Sequence, residues 1–225
     1  MVDKVEHSYL DTRGLSLHIA HVGKGELGAV LFIHGFPEIW YSWRHQMNAV
    51  AKAGFKAIAP DLRSYGLSTQ PSKPEKTTWE DLVADLLAIL NFLSISKLSK
   101  DRRSRTLQTH LLLCHSGSLR KISMPMLLHM RNLGFIFLSK CHTGELPKGT
   151  GIADPKIEVP VLLIMGEKDY AFKFPGMENY VRSGTLKHFV PDLEIKHMPE
   201  GSHFVQEQFP DQVNQLVITF LKNHI

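Results

Sequence analysis

Ala29-Val30-Leu31-Phe32-Ile33 is an unbroken apolar run that ends at His34-Gly35. A strand with one face in water alternates apolar and polar residues, whereas a run with no polar position belongs to a strand covered on both faces, the situation of a parallel sheet between two layers of helix. The flanking segments agree. Upstream, residues 7–11 and 15–22 alternate weakly on either side of Thr12-Arg13-Gly14, which predicts an antiparallel hairpin. Downstream, residues 40–53 carry a helical pattern, Gly54 stops it, and residues 55–59 form the next strand before Pro60-Asp61. Thr77 and Glu80 have the spacing of a capping box, and Trp79, Leu82, Val83, Leu86, Leu87 and Leu90 follow at helical intervals. Strand, helix, strand, helix requires crossover connections and hence a parallel sheet.

The C-terminal part repeats this order. Val161-Leu162-Leu163-Ile164-Met165 reads as a buried strand, residues 177–189 as a helix and residues 193–198 as a short strand. Pro210 suits the first position of a terminal helix whose apolar stripe is Val213, Leu216, Val217, Phe220 and Leu221. The expected fold class is therefore α/β, a mostly parallel sheet with helices on both faces. One domain is expected, made of an N-terminal half (1–97), an aberrant segment (98–150) and a C-terminal half (151–225). The middle segment is rich in Ser, Arg, His and Leu, and its helix and strand patterns conflict.

With 225 residues, 43% of them hydrophobic, the chain can bury a full core. The formal charge of +4 owes much to the cluster Lys97, Lys100, Arg102, Arg103 and Arg105. No aromatic platform accompanies that cluster, so it reads as a solvated loop and nucleic acid is not an expected partner. The first seven residues lack an apolar signal core and no apolar run reaches membrane-spanning length, so a soluble, cytoplasmic protein without a membrane partner is expected. Cys114 and Cys141 are expected to be free thiols.

The chemistry is announced at two strand ends. Gly166-Glu167-Lys168-Asp169 closes one C-terminal strand and Pro199-Glu200-Gly201-Ser202-His203-Phe204 follows the other. Parallel strands carry their C-terminal residues to the sheet edge where ligands bind. An imidazole titrates near neutrality, and a carboxylate on its other nitrogen fixes the tautomer and stabilises the cation, so Asp169 and His203 are candidates for an acid and base acting together.

The residues His34-Gly35-Phe36-Pro37-Glu38-Ile39-Trp40-Tyr41-Ser42-Trp43-Arg44, Pro60-Asp61-Leu62-Arg63-Ser64-Tyr65-Gly66-Leu67-Ser68, the turn at 165–170 and the segment at 199–204 occur in one order. Together they resemble the soluble epoxide hydrolases of plants, in the α/β-hydrolase superfamily. The resemblance covers residues 1–97 and 151–225, and Ser64 stands where the family usually has Gly. It implies an α/β-hydrolase fold and a two-step hydrolysis of a small hydrophobic epoxide, with no cofactor. An Asp attacks an epoxide carbon to form an ester, and a His oriented by a second Asp directs water onto that ester, releasing a vicinal diol. By this resemblance His203 is the base, Asp169 its orienting acid, and His34-Gly35-Phe36-Pro37 the oxyanion-side loop with the Phe36 amide facing developing charge. Glu38 and Trp40 would line the pocket or its water network.

The nucleophile is harder to place. The family's small-x-Asp-x-Gly turn follows a buried strand; Lys100-Asp101 resembles its Lys-Asp, but no apolar strand precedes Asp101 and Arg103 occupies the Gly position. His110-Leu111-Leu112-Leu113-Cys114-His115-Ser116-Gly117-Ser118 reads instead as a short strand followed by small-x-Ser-x-small, the local demand of a serine elbow, although Pro125 interrupts the helix that should follow. The pairs Cys114-His115 and Cys141-His142, with His110 and His129, offer zinc-type ligands without the spacing of structural zinc sites, so no metal is expected. The lid tyrosines with which the family protonates the opening epoxide oxygen have no counterpart, since no Tyr occurs between Tyr65 and Tyr170. Three readings stay open: an epoxide hydrolase with an altered elbow and lid, a non-catalytic binder of hydrophobic ligands, and a serine esterase using Ser116.

Overall fold

β3 (Gly28–Ile33) is buried along its whole length, and its alternate side chains feed two different cores. The structure, a computed structural model, describes residues 4–93, 109–113, 157 and 159–225. Ala29, Leu31 and Ile33 pack with Leu15, Leu17 and Ile19 of β2 (Leu15–Val22) and with Val83, Leu86, Ile89 and Leu90 of helix α2 (Trp79–Phe92). Val30 and Phe32 point the other way. They pack with Ala57 and Ala59 of β4 (Phe55–Pro60) and with Met47 and Val50 of helix α1 (Arg44–Lys52). An unbroken apolar run is thus the direct result of a strand lying between two helical layers.

Five strands form one sheet in the order β1-β2-β4-β3-β5, where β1 is Glu6–Thr12 and β5 is Thr109–Leu113. β1–β2 and β2–β4 are antiparallel, while β3 is parallel to both β4 and β5. The hairpin, the first crossover and the short apolar run at 110–113 therefore form as the sequence predicts. A second ladder pairs β6 (Val161–Gly166) with β7 (Leu193–Met198) in parallel. Val161, Leu163 and Leu193 pack beneath helix α3 (Met177–Arg182), whereas Met198 joins the core of Val30 and Phe32. That core is completed by Val205 of the short helix α4 (Val205–Gln208) and by Val213, Val217 and Leu221 of α5 (Pro210–Asn223), so residues from both ends of the chain cover one face of the sheet.

Three boundaries differ from expectation. The capping box lies one residue later, at Thr78 and Asp81. Thr77 closes the preceding 3-10 turn, while Asp81 at this register also pairs with Arg13 and lies 3.7 Å from Arg63. The segment at 177–189 breaks after Arg182 because Gly184 adopts a left-handed φ of +81°, and Thr185–His188 continue as a 3-10 turn. The helix expected over 40–53 begins as a 3-10 turn, Trp40–Trp43.

Asp61, just past β4, gathers the loops at this end of the sheet. Its carboxylate accepts His18 Nδ1–H at 2.9 Å, the Trp40 amide at 2.8 Å and the Leu67 amide at 3.0 Å, and it is 1% exposed. Burial alone would raise this carboxyl, but the bonds from His18, Leu67 and Trp40 together outweigh it and hold the group below the usual carboxylate range. Its stabilisation is complete above the unfolded value of about 4 and is lost as pH falls through the lower folded value. Arg63 fixes the same loop to α2 through a buried bidentate pair with Asp85 at 2.7 and 2.8 Å.

Two outcomes follow from this loop. Asp61→Asn should lower stability by about 2 kcal/mol at neutral pH, because an amide presents a donor to groups that are themselves donors. Urea midpoints measured between pH 5 and pH 2 should then fall less steeply for the variant than for the parent. Ser64 sits at φ +71° and is exposed, a conformation that costs a side-chain-bearing residue about 1–2 kcal/mol. Glycine there gives back about 0.4–1 kcal/mol through the unfolded chain. Ser64→Gly should therefore stabilise by about 0.5 kcal/mol, read as a higher urea midpoint with an unchanged slope.

Candidate active site

β6 and β7 end side by side, and the turns that follow them touch through two glycines. A Cβ on Gly166 would run into the carbonyl of Gly201, and one on Gly201 would meet Val205 and the Gly166 backbone. The Lys168 amide donates to the Gly201 carbonyl at 2.8 Å and the Glu167 amide to the Met198 carbonyl at 2.9 Å, which laces the two turns together. Asp169 is delivered by the first turn and His203 by the second. His203 Nδ1–H donates to both carboxylate oxygens of Asp169, at 2.9 and 3.0 Å, and both side chains are almost wholly buried.

Asp169 does a second job. Its Oδ1 accepts the Ala171 amide at 2.8 Å and so caps the 3-10 turn Tyr170–Lys173. A carboxylate whose oxygens are held by a backbone donor and an imidazole keeps one rotamer, so it orients the ring as well as stabilising its cation. With Nδ1 committed to Asp169, Nε2 is the nitrogen that presents a lone pair, and it lies 3.4 Å from the Tyr170 hydroxyl. Phe204 stands edge-on to the same ring, centroids 5.0 Å apart.

The loop after β3 is bonded to the segment that carries His203. His34 donates Nδ1–H to the Gly35 carbonyl at 2.9 Å and accepts the Leu62 amide on Nε2 at 3.0 Å. Burial lowers its titration below the ordinary value, against smaller opposing effects of the Gly35 bond and the Asp61 charge. Both nitrogens are therefore occupied in a neutral ring, and His34 acts as a tie between two loops. Glu38 accepts Gln206 Nε2–H at 2.8 Å, and Gln46 Nε2–H reaches the Gln206 carbonyl at 3.0 Å. Gln206 is 2% exposed and lies three residues beyond His203, so the loop at 35–38 is bonded directly to the segment that carries the histidine. Arg44 adds a bidentate pair to Glu207 at 2.6 and 2.8 Å.

The structure brings Asp169 and His203 together and links Glu38 to them through Gln206. Trp40 is placed against His7, rings 5.1 Å apart, with its amide on Asp61. Phe36 is largely exposed. Asp101 and Ser116 lie outside the described residues, as do Cys114, His115, His129, Cys141 and His142. Among the described residues no three His, Cys, Asp or Glu side chains gather closely enough to hold a metal ion. No helix among them is long and apolar enough to cross a membrane. Gln46 and Gln206 were not singled out in the sequence. The available signal was Glu38 itself, a carboxylate within an apolar loop that needs a donor.

Gly166→Ala should separate the dyad while leaving its chemistry intact. The added methyl has backbone, not a flexible side chain, in its way, so the turns must part. We expect a loss of about 2 kcal/mol or more in chemical denaturation. His203 should lose its Asp169-bound Nδ1 proton signal in NMR spectra of the folded variant.

Comparison with known proteins agrees with this architecture. A family model described as alpha/beta hydrolase fold matches residues 28–99. Epoxide hydrolase 1 of Siraitia grosvenorii is 26% identical over 314 aligned positions that cover 98% of this chain and 99% of the relative. Since the chain has 225 residues, at least 89 of those positions (314 − 225) face gaps in it. Epoxide hydrolase 2 of the same plant is 44% identical over 97 residues, 43% of this chain and 30% of the relative. Among solved structures, a laboratory-evolved variant of potato epoxide hydrolase superposes with a TM-score of 0.75 at 22% identity, covering 98% of this chain and all of that one. The chain thus has the α/β-hydrolase fold and resembles the plant epoxide hydrolases.

Proposed function

We propose that this chain hydrolyses small hydrophobic epoxides to vicinal diols through an ester intermediate. The observation that carries the reading is the buried Asp169–His203 pair at the ends of two adjacent parallel strands. The names of the relatives in Siraitia grosvenorii support the substrate class. A carboxylate attacks the less hindered ring carbon, the carbon–oxygen bond breaks, and an alkyl ester remains on the protein. His203 Nε2 then takes a proton from water as that water attacks the ester carbonyl, and Asp169 stabilises the imidazolium that results. The Phe36 amide, presented by the Gly35 turn, is assigned to the carbonyl oxygen as it becomes negative. Glu38, held by Gln206, is assigned to the water side of the pocket. Side chains and water suffice, so the reaction takes no cofactor and no metal.

Two nucleophiles are compatible with this dyad. Asp101 keeps the carboxylate chemistry that epoxides need, and it is the assignment made under this reading. Ser116 keeps the topology. It stands three residues beyond the end of β5, a strand parallel to β3, whereas Asp101 precedes that strand by eight residues. Catalytic elbows sit at the C-terminal ends of such strands, and this favours a second reading, a serine esterase activated by His203.

Trapping separates the two. The parent chain should convert styrene oxide to its diol slowly, since Arg103 stands where the elbow around Asp101 calls for Gly. Chelation should leave the rate unchanged. His203→Ala should abolish diol release and accumulate one covalent adduct, which intact mass and peptide mapping should place on Asp101. An adduct on Ser116, or turnover of nitrophenyl esters in place of epoxides, moves the chain to the esterase reading. Ligand binding with neither adduct nor turnover makes it a binding protein.

A further inference from the structure

Ring opening leaves a problem that the dyad cannot solve. When the carbon–oxygen bond breaks, the electron pair stays on oxygen, and an alkoxide is far more basic than water at neutral pH tolerates. His203 cannot supply the missing proton. Its one N–H, on Nδ1, is spent on Asp169, and Nε2 must remain unprotonated to activate water in the next step. A separate neutral acid is needed in the same crevice.

We propose that the Tyr170 hydroxyl is that acid and that His203 restores its proton. The assignment rests on the epoxide reading. All five tyrosines of the chain lie among the described residues. Tyr9 tilts over His18, Tyr41 lies under the Arg44 guanidinium, Tyr65 stands edge-on to His34 and Tyr180 packs beside the core of β6 and β7. Tyr170 is the tyrosine that meets His203. Its Oη is 3.4 Å from His203 Nε2 and its ring overlies the imidazole at 4.5 Å between centroids. The position is built rather than accidental. Asp169 caps the turn that begins at residue 170, so the carboxylate that orients the histidine also orients the phenol, and Phe174 supports the phenol edge-on at 6.1 Å. Tyr170 is 39% exposed, so its ring is not sealed into the core.

The protons close. The attacking carboxylate forms a carbon–oxygen bond as the ring bond breaks, and Tyr170 O–H protonates the released oxygen and becomes phenolate. Water next adds to the ester carbonyl while Nε2 takes one of its protons. The tetrahedral intermediate expels the second alkoxide, which takes the remaining water proton from the newly formed carboxylic acid and regenerates the carboxylate. The imidazolium returns its proton across the contact to the phenolate. Epoxide plus water becomes diol, and every protein group ends as it began.

The test uses the full chain, the parent and Tyr170→Phe, in single turnover on propene oxide and trifluoropropene oxide. Both open at the same carbon, but fluorine makes the released oxygen much less basic and so less in need of an acid. Loss of the hydroxyl should slow opening of propene oxide about 100-fold or more and that of the fluorinated analogue about tenfold or less. Circular dichroism and the urea midpoint should match the parent. An unchanged rate overturns the assignment, and so does an equal loss on both substrates, which marks a residue that only packs the ring. A parent chain that opens neither epoxide, while still folded, defeats the epoxide reading itself and the assignment with it.

Discussion

Two glycines that leave no room for a Cβ decide where the Asp169 carboxylate and the His203 imidazole meet. Gly166 and Gly201 let the turns after β6 and β7 approach to backbone contact, and the Lys168 and Glu167 amides lock that approach. Neither the carboxylate nor the imidazole has to search for the other, because each leaves its turn already within hydrogen-bond distance. A dyad set by backbone packing is stiffer than one set by side-chain rotamers, since bending it requires moving two strands. The 3-10 turn that Asp169 caps, and Tyr170 on it, inherit the same stiffness.

The sheet reaches this edge as a platform held by polar ties rather than by apolar contact alone. Asp61 collects donors from β2, from the turn before α1 and from its own loop, while His34 joins the loop after β3 to the loop after β4. Buried groups of this kind are costly unless every partner is present, and here each of these loops supplies a partner to another. The loop at 35–38 is consequently placed twice, by His34 and by Gln206.

Much of this was legible because each strand and helix carries its own pattern. The run at 29–33 specified a two-sided strand, and the strand-end positions of Asp169 and His203 specified where their side chains would converge. What escaped the sequence depends on contacts between distant segments. A capping box can be written at Thr77 or at Thr78, and the second goes with Thr77 closing the preceding turn and with Asp81 facing Arg13 and Arg63. Gln206 carries no local mark, since its function is set by a carboxylate 168 residues away. The helix expected over 177–189 failed at Gly184, where a single left-handed residue outweighs a continuing apolar period.

The Arg44–Glu207 pair has a bearing on how the protein is made. It joins residues 163 positions apart, and a slightly longer interval, 173 positions (205 − 32), separates Phe32 of β3 from Val205, where α4 and α5 begin to complete the cover that α1 starts. Translation at about 5–20 residues per second spends roughly 8–33 s on such a distance. Throughout that time the emerging N-terminal half displays a strand whose Val30 and Phe32 face is covered by α1 alone, leaving apolar surface that a chaperone, or another nascent copy, can meet before α5 does.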